Sequence, residues 1–115
     1  MKYEFQSFYL DSPLIRGRVF DLFRPEEITR DTALFFVHGG GWHAGTRAEY
    51  HQIMEAYNDL GYLCASTDYR LAGTVRFFDK QGITAFDQVQ DIREAYDRFV
   101  SILKELGRPL KIAVF

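Results

Sequence analysis

A chain of 115 residues has room for one ordinary domain, which excludes a two-domain architecture. Fourteen Lys and Arg stand against sixteen Asp and Glu for a net charge of -2 with no basic run, so nothing marks a nucleic acid or an anionic membrane as partner. Cys64 is the only cysteine, and the spacing of His38, His43 and His51 is not that of a zinc site, so neither a disulfide nor a metal is expected to staple the fold.

The first residues, Met1 to Gln6, alternate polar and apolar types and carry no leader pattern. With no apolar stretch near ~20 residues, the expectation is a soluble, cytoplasmic protein. Residues 2 to 10 and 14 to 24 have strand composition, and Asp11-Ser12-Pro13 between them suits a hairpin turn; Pro25 closes the second strand. Ala33 to Val37 is an unbroken apolar run, as a central strand covered on both faces requires. Thr46-Arg47-Ala48-Glu49 has the form of a capping box, and Tyr50, Ile53, Met54, Tyr57 and Leu60 then recur at helical spacing up to Gly61. Tyr62 to Thr67 reads as another buried strand. After an irregular stretch containing Phe77 and Phe78, apolar residues return at Phe86, Val89, Ile92, Tyr96, Phe99, Leu103 and Leu106, with Gly107 and Pro109 as stop signals. Ile112 to Phe115 begins a last strand. Strands alternating with helices in this order predict an α/β fold with a mostly parallel sheet flanked by helices.

The segment with chemical content is His38-Gly39-Gly40-Gly41-Trp42-His43-Ala44-Gly45-Thr46, between the central strand and the capped helix. Consecutive glycines let backbone N–H groups approach a ligand closely, and the start of a helix beyond a parallel strand favours negative charge. A phosphate loop is disfavoured because no Lys stands where it is needed. The other anion is the oxyanion of an acyl-transfer intermediate.

His38-Gly39-Gly40-Gly41-Trp42 resembles the oxyanion loop of the α/β-hydrolase fold, in its carboxylesterase and hormone-sensitive-lipase-like branch. Phe20 to Pro25, the segment Ser66-Thr67-Asp68-Tyr69-Arg70-Leu71, and Asp91 with Ala95 are similar to further segments of that family, in the same order. The resemblance implies that Gly40 and Gly41 donate backbone N–H groups to an oxyanion, that His38 holds the loop in shape, and that Trp42 lines the pocket for a small ester or amide substrate. It implies a serine nucleophile and no cofactor. Leu110 to Phe115 looks like the strand that leads to that nucleophile. None of Ser7, Ser12, Ser66 and Ser101 lies in a G-x-S-x-G elbow. Residues 1 to 115 therefore read as the N-terminal part of a single α/β-hydrolase domain, truncated before the elbow and inactive alone. An arylformamidase-like amide hydrolase is the alternative within enzymes. A non-catalytic piece that self-associates, or pairs by its sheet edge with the missing C-terminal part, is the alternative outside them.

The remaining candidates have structural readings. His43 and His51 are expected at the surface or beside the cap, without an acid partner. Cys64 is expected as a small core residue, and Asp68-Tyr69-Arg70 as an ion-pair and hydrogen-bond cluster beneath the glycine loop.

Overall fold

The computed structural model describes residues 3–11, 17–40, 45–71, 84–107 and 110–115. Among these residues five strands form one sheet: β1 (Tyr3–Tyr9), β2 (Val19–Pro25), β3 (Thr32–Val37), β4 (Cys64–Thr67) and β5 (Lys111–Val114), in the order β1-β2-β4-β3-β5. Two helices lie between them in sequence, α1 (His51–Asp59), preceded by a 3-10 turn at Arg47–Tyr50, and α2 (Ala85–Glu105). The sheet is mixed. β4, β3 and β5 run parallel, whereas β2 is antiparallel to both β1 and β4. The hairpin strands are thus paired as expected, although Ser12 and Pro13 of its turn lie outside the described residues.

Alternate side chains of each strand go to opposite faces. Phe20, Leu22, Ala33, Phe35, Leu63 and Ala65 pack against Ala95, Phe99 and Leu103 of α2. Phe23, Leu34, Phe36 and Cys64 pack with Met54 of α1 on the other face. β3 and β4 are adjacent and their following helices cover opposite faces, an arrangement in which open α/β sheets bind ligands beyond the carboxyl ends of the strands.

The helix faces differ from the sequence expectation in an informative way. In α2 Phe86 is 86% exposed and Val89 56% exposed, while Gln88 and Asp91 are buried in their place. The cause is polar. Gln88 Nε2 donates to Arg70 O at 2.9 Å, and Asp91 accepts from Arg70 N at 2.8 Å, from Arg70 Nη2 at 2.9 Å and from Arg18 Nη1 at 2.5 Å. Arg18 also bonds Asp11 and Glu94. Burial opposes the charge on Arg18, but its hydrogen bonds to Glu94, Asp11 and Asp91 outweigh it and raise its pKa. The first two turns of α2 are therefore held by polar contacts to Arg70 and Arg18, and the later turns by apolar packing on the sheet. Its start is a second capping box, with Thr84 N donating to Asp87 Oδ2 at 2.8 Å and Asp87 N to Thr84 Oγ1. In α1 Ile53 and Leu60 are exposed and Asn58 is buried, because its Nδ2 donates to Phe23 O and Tyr62 O.

Removing the carboxylate at the centre of the α2 contact leaves two arginines facing a buried gap. Asp91→Ala is expected to lower the free energy of unfolding by about 3 kcal/mol, read from a urea melt of both chains.

Candidate functional site

β3 ends at Val37, and the chain continues as His38, Gly39 and Gly40, the last at φ 127°. Gly41, Trp42 and His43 lie outside the described residues. The chain is described again from Gly45, at φ 103°, and enters the 3-10 turn through the Thr46 cap. Thr46 N donates to Glu49 Oε2 at 3.0 Å and Ala48 N to Thr46 Oγ1 at 2.9 Å, which is the capping box read from the sequence. A Cβ on Gly45 would meet Gly39 O, with His38 Nδ1 at 2.5 Å, so the two limbs of the glycine segment pack directly on each other. Gly39 has no neighbour within 4 Å of such a Cβ and is not left-handed.

His38 is buried and its Nδ1 donates to Gly39 O at 2.7 Å. Its ring lies on that of Tyr69, with centroids 4.3 Å apart and planes 11° from parallel. Tyr69 Oη donates to His38 O at 3.0 Å. Burial, followed by the charges of Glu49 and Asp68, raises the pKa of the Tyr69 phenol, so it stays a donor. The far limb is held by the preceding residue: Arg47 N donates to Asp68 Oδ1 at 2.7 Å and Arg47 Nη1 to Asp68 Oδ2 at 2.6 Å. Ser66 Oγ donates to Arg47 O at 2.8 Å, so both backbone groups of Arg47 are fixed. Asp68, Tyr69 and Arg70 thus grip, in order, the far limb, the near limb and α2. This is the cluster expected from the sequence.

Below Arg47 lies fully buried Asp21 of β2. Ser7 Oγ donates to Asp21 Oδ1 at 2.6 Å, and Arg47 Nε is 2.8 Å from the same oxygen, an ionic contact off the hydrogen-bonding direction. Burial opposes charge on Arg47, and Asp21 and Asp68 more than restore it. His51 Nε2 donates to Asp21 Oδ2 at 2.7 Å, and its ring packs beside Phe5 and Phe23. His51 therefore has an acid partner, against the sequence expectation. Thirty residues separate the pair, and only the alternation of β2, which turns Asp21 to the α1 face, could have signalled it. Its Nε2 is taken up by Asp21. Cys64 is buried on the same face, and burial pushes its thiol up to about 12.

The BD-FAE family model matches residues 20–102. The chain belongs to the BD-FAE family. A search of curated proteins gives no match. Among solved structures, this BD-FAE chain is similar to a bacterial heroin esterase at 24% identity and a TM-score of 0.70, covering 98% of this chain and 34% of that one. It is similar to esterase B from Lactobacillus rhamnosis HN001 at 18% identity and a TM-score of 0.67, covering 98% and 34%. An arylesterase aligns at 21% identity and a TM-score of 0.63, covering 97% and 35%. At these identities the likeness establishes the fold, that of the α/β hydrolases. The chain spans about a third of the length of each of these structures. Among the described residues no helix is long and apolar enough to cross a membrane, and no cluster of His, Cys, Asp or Glu could hold a metal ion.

Two measurements test the clamp. Gly45→Ala should cost about 1–3 kcal/mol of stability, since the left-handed backbone and the His38 contact both resist a Cβ, whereas Gly39→Ala should stay within about 0.5 kcal/mol of the parent. Tyr69→Phe should cost about 1–2 kcal/mol by stranding the carbonyl of His38. Cys64 gives a pH signature. Its raised folded pKa contributes stability that is fully present below the unfolded value and is lost as pH rises toward 12, so the melting temperature should fall through the alkaline range. Cys64→Ser should flatten that part of the curve.

Proposed function

We propose that this chain carries the oxyanion-binding loop of a serine hydrolase acting on small carboxylic esters, with Gly40 and Gly41 as backbone donors, His38 as the residue that shapes the loop, and Trp42 on the substrate pocket. The observation that carries the reading is the clamped segment His38-Gly39-Gly40 leaving the carboxyl end of β3, with Gly40 in a conformation open to glycine. Held at both limbs, such a loop presents N–H groups that need no reorganisation when charge develops on a carbonyl oxygen. Each donor of this kind is worth about 3 kcal/mol in the transition state. The same donors would serve an amide carbonyl, as in an arylformamidase-like reaction. Esters are favoured by the esterases among the structural neighbours. No cofactor enters this chemistry.

The complete reaction needs a nucleophile on a G-x-S-x-G elbow and its acid and base, and the 115 residues contain no such elbow. Ser7 and Ser66 are engaged as donors to Asp21 and Arg47, and Ser101 Oγ donates to Asp97 O within α2. The 115-residue chain should therefore show no burst with a nitrophenyl ester. A burst that a serine-directed phosphonate abolishes overturns the reading. In an NMR titration with butyrate the Gly40 and Gly41 amides should shift most, and Gly40→Val should remove the response. An unchanged titration in Gly40→Val withdraws the oxyanion assignment while leaving the fold intact.

A further inference from the structure

Among the described residues β1 has a neighbouring strand on one side only. Its pairing with β2 determines which groups the open edge presents. Leu10 N donates to Arg18 O at 2.9 Å, so by antiparallel alternation Phe8 with Phe20, Gln6 with Leu22 and Glu4 with Arg24 are the hydrogen-bonded pairs. The N–H and C=O groups of Tyr3, Phe5, Ser7 and Tyr9 therefore point away from the sheet. Sheet edges are normally guarded by charge, proline or bulges. Tyr3–Tyr9 contains no proline, runs in unbroken register with β2, and has Glu4 as its only charge. Phe5 is 52% exposed and Tyr9 43% exposed.

We propose that β1 is a dimer interface, pairing antiparallel with β1 of a second copy of this chain about a two-fold axis at Gln6. The register follows from hydrogen-bond parity. Centred at Gln6, Tyr3 faces Tyr9 of the second copy and Phe5 faces Ser7, and every outward-pointing residue finds an outward-pointing partner. A shift by one residue sets outward groups against groups already used by β2, and a shift by two leaves a terminal tyrosine without its pair. Glu4 falls opposite Phe8, so no like charges oppose each other. Phe5 gains Phe5 and Tyr9 of the second copy as diagonal neighbours on the α1 face, covering the two exposed rings. The contact is isologous and closes on itself, giving a dimer with no further open β1 edge. It rests on strand geometry alone and is independent of the ester-hydrolase reading.

Size-exclusion chromatography with light scattering on the 115-residue chain, together with amide hydrogen exchange, decides the matter. A dimer is expected, with Phe5, Ser7 and Tyr9 amides whose protection rises with chain concentration while those of Gln6 and Phe8 are protected throughout. Phe5→Lys should shift the population to monomer by placing two ammonium groups across the axis, and Val114→Lys, on the opposite edge strand β5, should leave the dimer in place. Should Phe5→Lys fail to fold, the exchange pattern of the parent chain still decides. A mass of one chain at high micromolar concentration, loss of the dimer in Val114→Lys alone, or free exchange of the Phe5, Ser7 and Tyr9 amides in an associated sample overturns the proposal.

Discussion

Three successive residues leaving β4 hold the glycine-segment end of this molecule together. Asp68 takes the backbone and guanidinium of Arg47, Tyr69 takes the carbonyl of His38 and stacks on its ring, and Arg70 takes Asp91 of α2. Adjacent residues of an extended segment point in different directions, which is why one short run can reach a loop limb on either side and a helix below. Without it the glycine segment would be a tether free to sample many shapes, since glycine loses more freedom on ordering than any other residue. Rigidity in such a loop has to be imposed by its neighbours.

The neighbours are in turn held by buried and half-buried carboxylates. Asp21, Asp91 and Asp68 each receive an arginine, and the first two are wholly excluded from solvent. Isolated buried charges are costly, so each must be met by a cation and further donors. Asp21 has Ser7, Arg47 and His51; Asp91 has Arg18 and two groups of Arg70 together with its backbone N–H. These contacts add directional constraint to a core whose apolar faces alone would tolerate sliding.

This also explains which parts of the fold were legible in the sequence. Strands β3 and β4, the Thr46 cap, the Gly61 stop and the span of α2 follow from local pattern, because periodicity and capping are local physics. The inward face of its first two turns did not, because Gln88 and Asp91 are buried by partners at Arg70 and Arg18, far away in sequence, whereas Phe99 and Leu103 pack as their spacing predicts. The Asp21 to His51 contact was hidden for the same reason. A capping box at Thr84 and Asp87 was readable, since a hydroxyl residue followed three positions later by a carboxylate is a local signal. The site itself was marked by its glycines, but the geometry that restrains them lies in residues 68 to 70.

The topology gives the restraint its direction. Because α1 and α2 cover opposite faces, the chain leaving β3 and the chain leaving β4 are bound for opposite sides of the sheet. His38, just beyond β3, and Tyr69, just beyond β4, are nevertheless held together by ring stacking and by the Tyr69 Oη to His38 O hydrogen bond. The strand pair that sets this direction thus also supplies the glycine segment and its brace. Substitutions at residues 68 to 70 act on the glycine segment through its supports, whereas substitutions at Gly40 act on its backbone directly.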